Sequence, residues 1–151
     1  MRIFISLVIF LFSFNANASS ISHLVGKVTN NLGIRDDILR YIETAIPNLT
    51  ESSKYAVMKI AANQQALYYK VKSYAEASSL IVSSSVALKC LGLERSDDYE
   101  IFKTIEHMMM DTSERKEYIM NTCSSLFGHD GLPHKHVPKN ELADRCRAKD
   151  Y

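Results

Sequence analysis

The sequence predicts an all-α protein, a helical bundle with one long helix and an irregular C-terminal tail. Its 151 residues include only five Gly and three Pro, too few turn residues for an all-β chain of this length. Hydrophobic residues make up 46% and charged residues 23%, as is usual for one folded domain. Apolar residues recur at helical spacing in nearly every segment. We therefore expect one helical domain over 19–151, with its tail over 128–151.

The N-terminus has the pattern of a secretory signal peptide over 1–18. Arg2 precedes a largely apolar stretch, and Ala16-Asn17-Ala18 supplies a small-residue cleavage site. A permanent membrane anchor needs about 20 apolar residues, and so none is expected. Loss of Arg2 leaves 17 basic residues against 17 acidic ones, a balance that argues against a nucleic-acid partner. We expect a periplasmic protein that begins at Ser19.

Two short helices are expected before the long one. The first covers about 20–32, with Gly33 as its C-terminal stop. The second covers about 35–45 and ends at Pro47. Thr50 is a good N-cap for the helix that follows.

The long helix is predicted over about 51–91, because this stretch contains neither Gly nor Pro. Apolar or aromatic residues recur there at a spacing of seven: Ile60, Leu67, Tyr74, Ile81 and Leu88. A straight helix of this length would extend about 60 Å. The helix therefore either breaks, with the serines at 78–79 or 83–85 as breaking points, or protrudes and is covered by a second subunit. We expect a homodimer, because one small globule cannot cover so long a seam.

Two further helices and a loop complete the chain. The first of these helices is capped by Ser96-Asp97-Asp98, and the second begins after Thr112 and stops at Gly128. Residues 129–138 form a loop, and a helical turn or two is expected after Asn140.

The exported part contains three cysteines, Cys90, Cys123 and Cys146. An oxidising compartment favours one disulfide and one leftover thiol. In an up-and-down bundle the helix after Cys90 runs away and the helix with Cys123 returns to the same end. This favours the pair Cys90–Cys123, with Cys123–Cys146 and Cys90–Cys146 as the alternatives.

No motif for catalysis or cofactor binding is present, and so we expect no enzyme and no cofactor. HExxH, GxSxG, CxxC and a phosphate-binding glycine loop are absent from the sequence. The loop does carry residue types that bind metals: His129, Asp130, His134 and His136. No helix places two of these histidines one turn apart, and so we expect a solvated loop without a metal.

In size, export signal and helical pattern, residues 1–151 resemble the periplasmic immunity proteins of bacterial type VI secretion effectors. The resemblance implies a small exported all-α protein, often a dimer, that caps the active site of a toxin attacking the cell wall or membrane. Acid-stress chaperones and accessory subunits of envelope complexes are the alternatives.

The partner-binding surface is expected in two segments. One is acidic and contains Asp97, Asp98, Glu100 and Glu106; the other is the loop with His129, Asp130, His134 and His136. Cell-wall hydrolases tend to be basic because their polymer is anionic, and an acidic surface would steer their approach. An irregular loop can enter a cleft that a helix cannot.

Overall fold

The computed structural model describes residues 16–128 and 139–148. Seven helices follow one another in these ranges: α1 (Ala16–Val25), α2 (Asp36–Thr44), α3 (Glu51–Tyr69), α4 (Tyr74–Glu94), α5 (Asp98–Met109), α6 (Ser113–Phe127) and α7 (Lys139–Ala148). The described residues contain no strand, which confirms the all-α prediction. Most of the predicted signal peptide, 1–15, lies outside them, and α1 runs across the expected cleavage site after Ala18.

Helices α3 and α4 form a helical hairpin, and so the single long helix predicted over 51–91 is wrong. α3 ends at Tyr69 and α4 begins at Tyr74. Ser73 starts the second helix, because its hydroxyl accepts a hydrogen bond from the backbone N–H of Glu76 at 3.3 Å. The break thus lies at residues 70–73 and not at the serines within α4. A four-residue connection lets the two helices pack side by side.

The hairpin covers much of the heptad seam within one chain. Ile60 and Leu67 on α3 are buried, whereas Tyr74 at the start of α4 is exposed. The homodimer expected from the seam stays a prediction.

Helices α3 and α4 together form the centre of the packing, and α4 contacts α3, α5, α6 and α7. Within the described part of the chain, α4 is the one helix long and apolar enough to cross a membrane, by length and composition alone. Its apolar residues have a second explanation in this fold, because Ala77, Val86, Ala87 and Leu91 are buried in the core.

The first helix ends at Val25, earlier than the expected stop near 32. Gly26 follows with a φ of +75°, a left-handed conformation that favours glycine. A Cβ atom at Gly26 would lie 2.5 Å from Cδ of Arg35, whose side chain occupies this space. The carboxylate of Asp36 then holds the irregular segment, since it accepts from the backbone N–H of Thr29 at 2.8 Å.

Candidate functional site

The acidic segment lies at a corner between two helices. We call residues Leu93–Glu100 the α4–α5 corner, because they join the end of α4 to the first turn of α5. Leu93 and Tyr99 are exposed at 65% and 57%, which is high for large apolar side chains. Glu100 is also exposed. The corner therefore exposes two large apolar side chains and one acidic side chain to solvent.

Hydrogen bonds hold the α4–α5 corner against the start of α3. The Glu94 carboxylate accepts from the Thr50 hydroxyl at 2.6 Å and from the Ser53 hydroxyl at 2.5 Å. Hydrogen bonds from Ser53 and Thr50 lower the pKa of Glu94. Arg95 donates to the carbonyl oxygen of Pro47 at 2.8 Å. These bonds tie together parts of the chain more than 40 residues apart.

Two of the four predicted acidic residues are paired with neighbouring bases. Arg95 binds Asp97 through two hydrogen bonds of 2.8 Å, and these bonds lower the pKa of Asp97. Lys103 donates to Glu106 at 2.6 Å. The negative charge of this segment is therefore more strongly compensated than its sequence suggests.

Asp98 and Glu100 stay at the corner, whereas Glu106 lies two turns further along α5 and is half-buried. The structure thus does not gather the four acidic residues at one point. His129, Asp130, His134 and His136 lie outside the described residues. Their part in a shared surface stays a prediction.

The disulfide differs from the predicted pair Cys90–Cys123. Cys90 is bonded to Cys146 with an S–S distance of 2.00 Å, and Cys123 is a free thiol. The physical reason is the direction of the side chains around α4. Cys123 faces a groove between α3, α4, α5 and α6, whereas α7 packs on another face of α4 and brings Cys146 to Cys90. The disulfide therefore tethers the last helix, α7, to α4. The remaining cysteine, Cys123 on α6, is a half-buried thiol.

A groove built mainly from apolar side chains opens between four helices. We call it the apolar groove; its volume is about 520 Å³. Seven apolar residues, from α3, α4, α5, α6 and the position directly after α5, line it: Leu67, Ile81, Leu88, Phe102, Met110, Ile119 and Met120. Three of them belong to the heptad seam, so the residues expected to meet a second subunit line a groove instead.

Six residues bring polar atoms to the wall of the apolar groove: Gln64, Tyr68, Ser84, Ser85, Glu106 and Cys123. Gln64 is only 5% exposed, and its Oε1 atom has no hydrogen-bond partner among the residues that the structure describes. Burial raises the pKa of Tyr68, and the charges of Glu106 and Cys123 raise it further. Burial also raises the pKa of the Cys123 thiol.

The apolar groove is not predicted by the sequence. The available signal was Gln64, a polar residue four positions after Ile60 where a heptad seam expects an apolar one. A polar residue in a seam is usually explained by helix pairing, and only the folded hairpin reveals that Gln64 faces a cavity.

A second groove, lined by polar residues, lies along another face of α4. Lys59, Asn63, Ser83 and Arg145 line it, and its volume is about 600 Å³. The Asn63 amide donates a hydrogen bond to the Ser83 hydroxyl at 2.8 Å. This side-chain hydrogen bond also joins the two helices of the hairpin.

The described residues contain no group of three or more His, Cys, Asp or Glu side chains arranged to hold a metal ion. Comparison with known proteins adds no relative: no family model, no curated protein and no solved structure matches the chain.

Proposed function

We propose that the protein is exported to the periplasm and binds there to a toxic effector, a cell-wall hydrolase, whose active site it covers. The observation that carries this proposal is the α4–α5 corner, which exposes Leu93, Tyr99 and Glu100 and leaves Asp98 partly exposed. Aromatic and apolar residues within a polar rim are typical of protein interfaces. The acidic side chains suit a basic partner, because opposite charges speed encounter.

The rigidity of this corner supports a binding role. Glu94 and Arg95 hold it to the start of α3, so its backbone needs little ordering when a partner binds. Binding loses less free energy to entropy when the surface is ordered beforehand. A corner held by hydrogen bonds is therefore well suited to recognition of a partner.

The disulfide supports export. Bonds such as Cys90–Cys146 persist in the periplasm and are reduced in most cytosols. This agrees with the signal pattern at the N-terminus, and intact-mass measurement of the exported chain tests both. The expected mass is that of residues 19–151 with one disulfide; a retained segment 1–18 would contradict export with cleavage.

The proposed function is tested with the products of neighbouring genes. Each is exported to the periplasm of a bacterial host, alone or together with this protein. We expect one product to stop growth, co-export to restore growth, and the two proteins to purify together in a fixed ratio. The double variant Leu93→Ala/Tyr99→Ala should lose protection. Leu32→Ala, which also removes an exposed leucine, is the matched control and should keep it. If no product is toxic, or if the double variant protects fully, the proposal fails.

A periplasmic acid-stress chaperone is the second candidate, and the hydrogen bonds of Glu94 favour it. Protonation of this carboxylate would loosen the corner and expose further apolar surface. A chaperone should suppress aggregation of client proteins near pH 3, whereas an inhibitor has no reason to gain this activity.

A further inference from the structure

The groove on the other face of α4 is lined by residues from three helices, and we call it the polar groove. Its polar residues are Lys59 and Asn63 of α3, the serines at 78, 79 and 83 of α4, and Arg145 of α7. Three apolar residues of α4 complete the wall. The volume of about 600 Å³ is that of a small-molecule site, since such sites have volumes of about 300–1,000 Å³.

The polar groove carries positive charge. Lys59 and Arg145 line it, and no Asp or Glu is among the described residues that do so. Lys59 is half-buried, and its ammonium has no ion pair or hydrogen bond with any residue that the structure describes. Glu141 lies 3.8 Å from Arg145, farther than the roughly 2.7–2.9 Å of a charge-assisted hydrogen bond. Glu141 therefore compensates only part of the positive charge, and an anion in the groove would compensate the rest.

Serine hydroxyls add hydrogen-bond donors beside these charges. Ser83 accepts a hydrogen bond from Asn63 at 2.8 Å and donates to none of the described residues. Ser78 and Ser79, about one turn earlier on α4, also donate to none of them. A hydroxyl can accept as well as donate, but the two cations favour ligands that bring acceptors. The wall therefore suits a hydrophilic ligand whose negatively charged oxygen atoms accept hydrogen bonds.

The fold holds the walls of the polar groove in place. Cys146, the residue after Arg145, is bonded to Cys90 on α4, so α7 stays beside this helix. The hydrogen bond between Asn63 and Ser83 joins α3 to α4 within the groove itself. A ligand therefore meets a site whose helices are already assembled, which reduces the entropy lost on binding.

We propose that the polar groove binds a small hydrophilic anion whose phosphate or carboxylate oxygens accept hydrogen bonds from Lys59, Arg145 and the serines of α4. The site shares no residue with the α4–α5 corner, and it does not depend on the function proposed above.

The test uses the exported chain with its disulfide intact, in a buffer of low ionic strength without phosphate or carboxylate. Isothermal titration calorimetry measures the binding of inorganic pyrophosphate, of citrate and of the cation spermidine. At least one of the two anions should bind with a Kd of about 1 mM or lower, and spermidine should not. The anion that binds more tightly identifies the preferred group, phosphate or carboxylate. Binding of neither anion, or equally tight binding of spermidine, overturns the proposal.

Replacement of Lys59 separates the site from general attraction to surface charge. Lys59→Gln should weaken binding of the anion about tenfold, because it removes a half-buried cation of the groove. Lys54→Gln makes the same charge change on α3 outside the groove and is the matched control, with an expected effect below about twofold. Lys59→Arg keeps the charge and should retain most of the affinity. Equal weakening by the Gln variants of Lys59 and Lys54 would overturn the assigned site.

A second matched pair tests the wall formed by α7. Arg145→Gln should also weaken binding about tenfold. Arg147→Gln, two positions further along α7, removes an exposed cation that does not line the groove and should leave binding nearly unchanged. Circular dichroism checks that each variant is folded. Full binding in Lys59→Gln and Arg145→Gln, or equal weakening by Arg147→Gln, would overturn the proposal.

Discussion

Nη2 of Arg35 lies 3.0 Å from Oδ2 of Asp111, a residue 76 positions further along the chain. The same nitrogen donates to the carbonyl oxygen of Met108 at 2.7 Å, and Nε donates to Asp37 at 2.6 Å. Only 4% of the Arg35 side chain is exposed. A single guanidinium therefore joins the start of α2 to the connection between α5 and α6.

Replacement of Arg35 by Ala should destabilise the fold strongly. The Met108 carbonyl would lose its donor, and the space beside Gly26 would lose the aliphatic part of the side chain. We expect the free energy of unfolding to fall by about 2–4 kcal/mol. Arg35→Lys should recover only part of this, because an ammonium lacks the planar fork that reaches several acceptors. Urea denaturation followed by circular dichroism measures both.

Arg40→Ala is the control for this experiment. Arg40 lies on the same helix, α2, and is exposed. We expect its replacement to change stability by less than about 0.5 kcal/mol. Equal effects of the two replacements would show that the buried guanidinium does not hold the fold together.

The disulfide should stabilise the chain and leave one cysteine reactive. Peptide mapping after alkylation under denaturing conditions should find Cys90 linked to Cys146 and the label on Cys123. The double variant Cys90→Ser/Cys146→Ser opens a loop closed across 56 positions. The chain-entropy treatment gives a loss of about 4 kcal/mol. Cys123→Ser is the control and should keep the bond; a linked Cys123 would contradict the pairing.

Acid should weaken the attachment of the α4–α5 corner to α3. Hydrogen bonds lower the pKa of Glu94 below its ordinary 4.5, so the folded state favours the ionised form. The resulting stabilisation is complete above the pKa of the unfolded chain and disappears as the pH falls through the folded value. The stability difference between the original chain and Glu94→Gln should therefore be greatest near neutral pH and shrink under acid.

Thermal unfolding over a range of pH measures this difference. Glu43→Gln, an exposed change on α2, is the control and should alter stability at neutral pH by less than about 0.5 kcal/mol. A gap between the original chain and Glu94→Gln that persists unchanged in acid would contradict the role of the ionised carboxylate.

Charge reversal at the corner should slow association with the proposed effector. Asp98→Lys/Glu100→Lys removes the attraction that steers a basic partner, so the association rate at low salt should fall about tenfold or more. High salt should remove most of the difference. Glu114→Lys/Glu117→Lys places the same charge change on α6 and should have a smaller effect. Equal slowing by both pairs would indicate that net charge, and not the corner, controls encounter.

Local signals in the sequence predicted several elements well. Thr50 and Thr112 were expected to begin helices, and their hydroxyls accept hydrogen bonds from Ser53 and Arg115 at the starts of α3 and α6. Gly128 was expected to end a helix, and α6 ends directly before it. Each of these signals acts within one turn, and so it can be identified without knowledge of the fold.

Features that depend on distant contacts could not be predicted in this way. The heptad seam was taken to favour one continuous helix, but burial of Ile60 and Leu67 within a hairpin satisfied the same pattern. The direction of Cys123 depends on how α6 packs. The burial of Gln64 depends on how the four helices around the apolar groove pack.

The bond between Cys90 and Cys146 also turns most of the second half of the chain into a covalent ring that contains α5 and α6. A force applied to the two ends of the chain is carried across this ring by the sulfur–sulfur bond. At about 3.5 Å per residue, the oxidised chain under tension would be shorter than the reduced chain by about 200 Å. Pulling would then unfold the hairpin, whereas the residues between Cys90 and Cys146 would bear no tension. The two halves of the domain would therefore respond differently to mechanical load.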